Sequence, residues 1–464
     1  MTWNQKGWYR VILVGWLILG TTAGVGAANI SDFLKLSPYI EVESSYDDNV
    51  FEISENTPLP QDAKKREDLS WNVRAGVGAD ITLERPYLTL GVGLNYAFEY
   101  IKYVDNTELD ETRNNLDFKL NFASKYEEGI VRDRLKVKIK DVLSVIPIDE
   151  EEPLNLGNRV LRNDFEIGAD YRLFSTRRVT FLLGYAYGRV DFGNSAIDVP
   201  TVTGYTHSNE LTQESQTHTG KADFKFILNP RITSVMTYNY AYVNREETSG
   251  ELVSADFSRQ NLLGGFQAQL SPRIQGNFQA GYGWTRYKDV GALSQGDQND
   301  FIAESSITAN FSNQPLITLG YRRYFTENDF GDTLLTGNVF GRVGFKVATG
   351  LLVNFAGDYI REDRSLLDDN TTQRIFGVNT EYALLKNIKL LAGYDYKKRA
   401  FFAHNFLADQ DREETSQVLS GGVEYKVGRY ILLKGMYSYT EKTSDLADQE
   451  FNRNKFTASG KVIF

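Results

Sequence analysis

The chain has 464 residues and a formal net charge of −10, and it contains 27 Tyr and 28 Phe but no Cys. The absence of Cys excludes disulfides and thiolate metal sites, and the acidic balance argues against a nucleic-acid partner, which requires a basic surface. A mean hydropathy of −0.38 is unusual for a helical membrane protein. It is typical of a membrane barrel, in which only every second strand residue faces lipid.

The N-terminal residues predict a secretory signal peptide over residues 1–27. Lys6 and Arg10 are followed by an apolar run at 11–19 and by small residues at 23–28, which is the order of a signal peptide with its cleavage site. The apolar run is short for a membrane span, which needs ~20 residues, so a transmembrane anchor is the less favoured alternative. We predict a short periplasmic segment at 28–36 and a barrel over 37–464.

From Leu36 onward, runs of about ten or more residues alternate between apolar and polar, the period of β-strands. Tight turns rich in Pro, Gly, Asn and Ser alternate with longer polar loops. Together they make nineteen connections. The sequence therefore predicts an all-β fold: a transmembrane antiparallel up-and-down β-barrel with short periplasmic turns and long extracellular loops. We expect about 20 strands, within a range of roughly 18 to 22.

Aromatic residues recur in the strands that follow the tight turns. The segment 183–189 matches 280–286 and 392–398, and each places aromatic residues at positions i and i+2, which share one face of a strand. Their parity is that of the apolar residues, so we predict an outer aromatic girdle at the lipid headgroups rather than a row of sugar-stacking rings inside. The predicted girdle residues are Tyr185, Tyr187, Tyr238, Tyr240, Tyr242, Tyr282, Trp284, Tyr394, Tyr396, Tyr437 and Tyr439.

Charged residues recur on the other parity, which predicts a water-filled interior. In the segment 134–140, Leu135, Val137 and Ile139 form the apolar face, and the basic residues between them then point inward. An Arg or Lys facing lipid costs ~2–4 kcal/mol at the midplane, so these side chains must meet water or each other. The predicted lumen-lining residues are Arg134, Lys136, Lys138, Lys140, Asp117, Lys119, Asp164, Glu166, Asp170, Lys221, Asp223, Lys225, Arg322, Lys389, Asp395, Lys397, Arg399 and Lys434.

Two interpretations of these charges stay open. Acidic residues on the neighbouring strands favour a solvated wall with cross-strand salt bridges. The alternative is an electrostatic filter for anionic cargo, centred on the basic segment 134–140. The loops at 145–159, 194–212 and 402–415 are candidates for folding into the lumen.

The residues give little support for an enzyme or a metal site. Only three His are present, and Ser215 and His218 are three residues apart in a predicted strand, so they face opposite ways. We predict no catalytic residues, no cofactor and no metal. Oxygens at 47–49 or 149–152 could bind Ca²⁺ weakly, but a solvated acidic loop is the favoured interpretation.

The last strand alternates an apolar face, with Phe456, Val462 and Phe464, against a polar face with Lys455 and Lys461. This pattern resembles the assembly signal of Gram-negative outer-membrane proteins. By this resemblance, Phe456, Val462 and Phe464 form the assembly signal. We predict that this strand closes the barrel against the first strand, 37–46.

The segments 37–42 and 46–51, which read Ser-Pro-Tyr-Ile-Glu-Val and Tyr-Asp-Asp-Asn-Val-Phe, resemble the opening of the family named "Putative beta-barrel porin 2". Members of that family are often associated with exopolysaccharide or capsule export, so the resemblance implies a polysaccharide exit pore. It supplies no catalytic residues.

The sequence therefore predicts a porin-like channel of the cell outer membrane for hydrophilic solutes, with polysaccharide export as a candidate role. The alternative function is a non-conducting surface or scaffold barrel whose extracellular loops bind a partner. The expected partners are outer-membrane lipid, lipopolysaccharide and the barrel assembly machinery. Polysaccharide and periplasmic export components are further candidates, and nucleic acid is not expected.

Overall fold

The computed structural model of the protein describes residues 34–55, 59, 64–85, 88–124, 134–147, 159–192, 214–245, 256–288, 297–311, 315–327, 333–364, 369–402, 412–445 and 450–464. Within these ranges the chain forms twenty β-strands and one 3-10 turn, Thr107–Leu109. The strands are β1 Leu34–Asp47, β2 Asp68–Arg85, β3 Leu88–Tyr103, β4 Glu111–Ser124, β5 Leu135–Pro147, β6 Arg159–Ser175, β7 Val179–Phe192, β8 Ser215–Asn229, β9 Ile232–Arg245, β10 Phe257–Ser271, β11 Ile274–Tyr287, β12 Gln298–Asn310, β13 Leu316–Glu327, β14 Thr333–Ala348, β15 Leu351–Arg364, β16 Asp369–Leu385, β17 Ile388–Phe402, β18 Arg412–Val427, β19 Ile431–Ser444 and β20 Phe451–Ile463.

Each strand pairs antiparallel with the next, and β1 also pairs antiparallel with β20, so the sheet closes into a barrel. The predicted strand number, connectivity and closing pair are confirmed. The first strand begins at Leu34, three residues before the predicted barrel boundary. The predicted signal peptide lies outside the described residues. Within the described ranges, no helix is long and apolar enough to cross a bilayer.

The apolar surface of the barrel faces outward. Residues directly opposite each other on paired strands point to the same face, so one face can be followed from strand to strand around the whole barrel. Val42 lies opposite Val73, which lies opposite Tyr100, and across the closing seam Tyr46 lies opposite Phe456. All five side chains are exposed at the outer face. The exposed apolar band that would be a defect in a soluble protein is the lipid-facing surface of a membrane barrel.

The two ends of the barrel differ in their connections, and we refer to them as the turn end and the loop end. At the turn end, Gly350 (φ +84°) and Gly428 (φ +62°) adopt the left-handed conformation that tight turns require. The β6–β7, β8–β9, β10–β11, β14–β15 and β16–β17 hairpins each have a register shift just before the turn. Such bulges increase the local twist that a closed barrel needs.

Candidate functional site: the inner wall of the barrel

The inner wall is charged, and near the seam its charges are linked across neighbouring strands. At the seam, Nζ of Lys461 lies 3.5 Å from Oε2 of Glu41, and Arg74 of β2 lies 3.9 Å from the same carboxylate. Arg74 also donates to Glu99 of β3 at 2.7 Å. Glu99 is only 2% exposed, and a buried carboxylate of this kind requires such a partner. The row runs across four strands, from β20 to β3.

The register places the predicted lumen-lining residues on this inner parity, with one exception. Lys136 and Lys140 lie opposite Asp170 and Glu166, and Lys119 lies opposite Lys140. The residues that the inner face brings together are Asp117, Lys119, Lys136, Lys138, Lys140, Asp164, Glu166, Asp170, Lys221, Asp223, Lys225, Arg322, Lys389, Asp395, Lys397, Arg399 and Lys434.

Arg134 is the exception, and its predicted place in the lumen is wrong. The residue precedes β5, which begins at Leu135, so the strand's alternation does not fix its side chain. Its guanidinium carbon lies 5.5 Å from the ring centroid of Tyr171. Tyr171 lies opposite Leu135 on the apolar face, so Arg134 makes a cation–π contact at the outer surface.

The lysines of β5 do not form the cross-strand salt bridges that the neighbouring acids suggested. Lys119 binds Asp117 of its own strand at 2.6 Å. For Lys136, Lys138 and Lys140, by contrast, no carboxylate of the described residues lies within ion-pairing distance. Lys138 and Lys140 are exposed to the lumen. Their charges therefore act on the water inside the barrel rather than holding its wall together.

On the seven strands beside the seam, the inner charges are segregated into an acidic and a basic sector that meet at the seam. The acidic sector, β1 to β3, contributes Glu41, Glu43, Asp47, Asp68, Asp80, Glu84 and Glu99 against Lys35 and Arg74. The basic sector, β17 to β20, contributes Lys389, Lys397, Arg399, Arg412, Lys426, Lys434, Lys442, Arg453, Lys455 and Lys461 against Asp395, Glu414 and Glu424. The protein as a whole is acidic, so this basic wall is a local feature.

Phenylalanine rings on the inner face are flanked by arginines, which the sequence analysis missed. The Phe401 ring centroid lies 4.2 Å from Cζ of Arg412 and 5.3 Å from Cζ of Arg399. Phe340 in β14 lies similarly between Arg322 at 5.0 Å and Arg342 at 5.9 Å. In both cases one Arg is two residues away on the same strand, and that spacing is a signal that could have been used.

At the loop end of the seam, the first loop is bound to the last strand. Arg453 of β20 donates from Nε to both carboxylate oxygens of Asp47 at 2.9 Å and also pairs with Glu52. Asp48 accepts from the backbone N–H and the side-chain amide of Asn454 at 2.6 and 2.7 Å. We name Asp47, Asp48, Glu52, Arg453 and Asn454 the seam cluster.

The seam cluster overturns the favoured interpretation of residues 47–49 as a solvated acidic loop. Asp47 is 6% exposed and Asn49 is 4% exposed. Asn49 donates its amide to the carbonyl oxygens of Ile53 and Asn452. The oxygens proposed for weak Ca²⁺ binding thus accept from the protein's own donors, and among the described residues no cluster of three or more His, Cys, Asp or Glu side chains is arranged to hold a metal ion. The second candidate segment, 149–152, lies outside the described residues.

Burial changes the acidity of one carboxyl of the seam cluster. Desolvation raises the pKa of Glu52, and the nearby Asp47 charge acts in the same direction. Arg453, Lys442 and Lys455 act against this rise. Glu52 also has φ +52°, a conformation that is rare for a residue other than Gly.

Two further buried residues hold the first and second loops together. Asp68, 2% exposed, accepts from the backbone N–H groups of Val104, Asp105 and Asn106. Asn106 is fully buried, and its Oδ1 accepts from the N–H groups at positions 64 and 65. Nearby, the hydrogen bond to Asp105 raises the pKa of Lys65. These contacts place a folded polar rim over the acidic sector.

The predicted aromatic girdle lies on the outer face, with Tyr185, Tyr187, Tyr238, Tyr240, Tyr242, Tyr282, Trp284, Tyr394, Tyr396, Tyr437 and Tyr439 all on the apolar parity. Many of these hydroxyls bind a polar side chain on the next strand, two residues nearer the loop end. Tyr282 donates to Asn299 at 2.8 Å, and Tyr437 donates to Asn454 at 2.7 Å. Tyr96, Tyr238, Tyr394 and Tyr439 make equivalent bonds to Asn or Gln side chains.

His218 belongs to this outer face and not to a catalytic pair. Its Nδ1 lies 2.8 Å from Oη of Tyr185, and its ring contacts Tyr187. Ser215 is on the inner parity, opposite Arg245, so the two side chains point to opposite sides of the wall, as the strand period predicts. His207 and His404 lie outside the described residues. So do most of the loops at 145–159, 194–212 and 402–415.

Comparison with solved structures shows the same fold at low sequence identity. The ferric enterobactin receptor PfeA in complex with BCV-L6 matches with a TM-score of 0.52 and 10% identity, over 93% of this chain and 81% of that one. A PfeA mutant from Pseudomonas aeruginosa matches at 0.51 and 9%, over 93% and 80%. The FrpB iron transporter from Neisseria meningitidis matches at 0.51 and 7%, over 93% and 83%. These matches establish the barrel architecture alone.

A search of curated proteins gave no match. A comparison with family models gave a match over β16 to β20, the part of the chain that includes the basic sector. The fold and this match together support an outer-membrane barrel with a channel-like or transporter-like role. The family inferred from the N-terminal segments is confirmed by a match at the other end of the chain: residues 368–463 match the family described as "Putative beta-barrel porin 2".

Proposed function

We propose that the protein is a water-filled outer-membrane channel for hydrophilic solutes. The observation that supports this proposal is the two-faced wall, apolar outside and with charged side chains on the inner parity of most strands. Inner side chains at different heights are about half exposed, including Lys119 at 53%, Arg322 at 52% and Arg342 at 46%. A barrel of more than about 16 strands is wide enough for an aqueous channel.

Polysaccharide export is the finer proposal. Its support is the family match at 368–463 and a polar wall that offers charged and hydroxyl groups along its length. In this role the turn end would receive a chain from periplasmic export components, and the loop end would release it. The scaffold alternative, in which the barrel does not conduct, is an outcome of the test below.

Planar-bilayer recording of the purified, folded protein tests the channel. Discrete conducting steps are expected. Their absence, with the protein shown to be inserted, would contradict the channel and favour the scaffold role.

The lysines of β5 supply a second measurement on the same preparation. Replacing Lys136, Lys138 and Lys140 together with Gln removes three unpaired positive charges, so the permeability ratio of chloride to potassium should fall. An unchanged ratio would remove the filter interpretation without affecting the channel itself.

A further inference from the structure

The basic sector of β17 to β20 runs the full height of the wall rather than forming a single ring. Lys426, Lys434 and Lys461 lie near the turn end, and Lys455 follows toward the middle. Lys397 and Lys442 lie opposite Ser416, nearer the loop end. At ~3.3 Å per residue, strands of this length span roughly 40 Å, so an anion would meet a positive charge at every level.

Between these charges the wall carries several small hydroxyl-bearing residues, together with apolar ones such as Val418 and Met436. Lys455 lies opposite Ser438, which lies opposite Ser420, and Lys434 lies opposite Ser459. Thr440 and Thr457 share the same inner parity. Small side chains leave room beside the lysines, and their hydroxyls can both donate and accept hydrogen bonds.

Several lysines of this sector form no ion pair within the described part of the wall. Lys426, Lys434 and Lys455 have no carboxylate of the described residues within ion-pairing distance. Lys426 and Lys434 are exposed. Within the sector, Glu414 pairs with Arg412 at 2.9 Å and with Lys442 at 3.6 Å, so it does not neutralise these three lysines.

At the loop end the path reaches the Phe401 ring between Arg399 and Arg412. Arg412 is already paired with Glu414, so the binding of carboxylates along the path falls to the lysines. A small inorganic anion would not need the height of the path.

From these observations, and resting on the proposed channel, we propose that β17 to β20 form a binding track for a linear carboxylated polysaccharide. The lysines bind successive carboxylates, and the Ser and Thr hydroxyls bind the sugar hydroxyls between them. Spaced, water-exposed charges bind each carboxylate weakly, which lets a long chain be held and still move.

Oligogalacturonate block of single-channel current tests the track. The matched probe is a neutral maltooligosaccharide of the same chain length. We expect oligogalacturonate to block at lower concentration than the neutral chain. Replacing Lys426, Lys434 and Lys455 with Gln should raise its half-blocking concentration about tenfold, equivalent to ~1.4 kcal/mol of binding.

The control is the Lys136, Lys138 and Lys140 to Gln variant, which removes the same charge from another part of the wall. It should change ion selectivity and leave oligogalacturonate block within about twofold of the unmodified protein, far less than the tenfold step that 1.4 kcal/mol produces. The track would be overturned if oligogalacturonate and the neutral maltooligosaccharide had the same half-blocking concentration. It would also be overturned if the two variants raised the half-blocking concentration of oligogalacturonate equally.

Calorimetric binding of oligogalacturonate to the detergent-solubilised barrel separates the track from the channel. Suppose that oligogalacturonate binds to the unmodified protein but not to the variant with Lys426, Lys434 and Lys455 replaced by Gln. This result supports the track even if no current is seen, in which case only the channel proposal fails. A conducting protein that does not bind oligogalacturonate would overturn the track and leave the channel intact.

Discussion

Lys461 and Glu41 meet across the seam that closes the barrel, with Nζ of Lys461 3.5 Å from Oε2 of Glu41. Their strands pair in the register that sets Lys461 directly opposite Glu41 and Ser459 opposite Glu43. The basic sector and the acidic sector are therefore neighbours, and their opposite charges stabilise this strand pair. Opposite charges directly across two strands stabilise the pairing.

The seam cluster should stabilise the barrel more than the Lys461–Glu41 pair does. Arg453 is 15% exposed and binds two carboxylates, whereas Lys461 is 29% exposed. Arg453→Met leaves the buried Asp47 and the partly buried Glu52 without their arginine counter-charge, which should cost about 3–5 kcal/mol. Lys461→Met should cost about 0–1 kcal/mol. Urea unfolding in detergent micelles measures both values.

A rescue variant separates the lost pair from lost packing. Adding Asp47→Asn and Glu52→Gln to Arg453→Met removes the two uncompensated charges and should restore part of the stability. If the triple variant is no more stable than Arg453→Met alone, the charges are not what Arg453 contributes.

The packing of Glu52 should make the barrel more stable in mild acid. Its pKa is raised in the folded protein, so the folded state holds a proton that the unfolded chain releases. The contribution is complete below the ordinary glutamate pKa of about 4.3 and is lost as the pH rises through the higher folded value. The unfolding temperature should therefore rise between neutral pH and pH ~5.

Glu52→Gln should flatten this pH dependence, because the amide does not titrate. The control is Glu55→Gln, three residues away on the exposed surface of the same loop, which should keep the slope of the unmodified protein. Samples are heated to different temperatures at each pH, and the temperature at which the folded barrel loses its gel mobility is recorded. The slope is the change of this unfolding temperature with pH. Equal slopes in all three proteins would exclude Glu52 as the source.

Gly281 should be irreplaceable because β10 and β11 approach closely there. A Cβ at Gly281 would overlap the backbone carbonyl oxygen of Leu262, and backbone cannot move aside as a flexible side chain can. Gly281→Ala should cost about 1–3 kcal/mol or more. Gly264 on β10 is the matched control, since nothing lies within 4 Å of a Cβ there. Equal folded yields of the two variants would contradict the close approach.

The tyrosine hydroxyls of the outer face should each contribute one net hydrogen bond. Tyr437→Phe removes the 2.7 Å bond to Asn454 and should cost about 0.5–1.5 kcal/mol. Tyr425 lies on the same face, and no hydroxyl partner for it is found among the described residues, so Tyr425→Phe should change the unfolding free energy little. Similar losses of unfolding free energy in Tyr437→Phe and Tyr425→Phe would show that the hydrogen bond of the Tyr437 hydroxyl does not contribute to stability.

The sequence predicted well which side chains face outward and which face inward, because this depends only on the alternation of residues within each strand. Alternation with period two assigns Lys136 and Val137 to opposite faces without any knowledge of their neighbours. The same rule predicted the outward tyrosines and the closing pair of strands. It failed at Arg134, one residue outside the strand, where no period applies.

The seam cluster could not be predicted in this way, because it joins residues about 400 positions apart. Asp47 and Asp48 look like solvated acids until Arg453 and Asn454 are brought beside them, 406 residues later in the chain. For Phe340 and Phe401, the Arg two residues away on the same strand is visible in the sequence, but the second Arg depends on which strand is the neighbour. Composition alone gives no signal for such contacts.

The seam also sets the order in which the barrel is completed. Nineteen of its strand pairs are hairpins whose ends are near in sequence, but β1 and β20 must find each other over almost the whole chain, the most costly closure in entropy. Until they do, each carries a row of unpaired backbone N–H and C=O groups that lipid cannot satisfy. A half-inserted sheet is therefore not a stable resting state, and the last pairing commits all twenty strands to the membrane together.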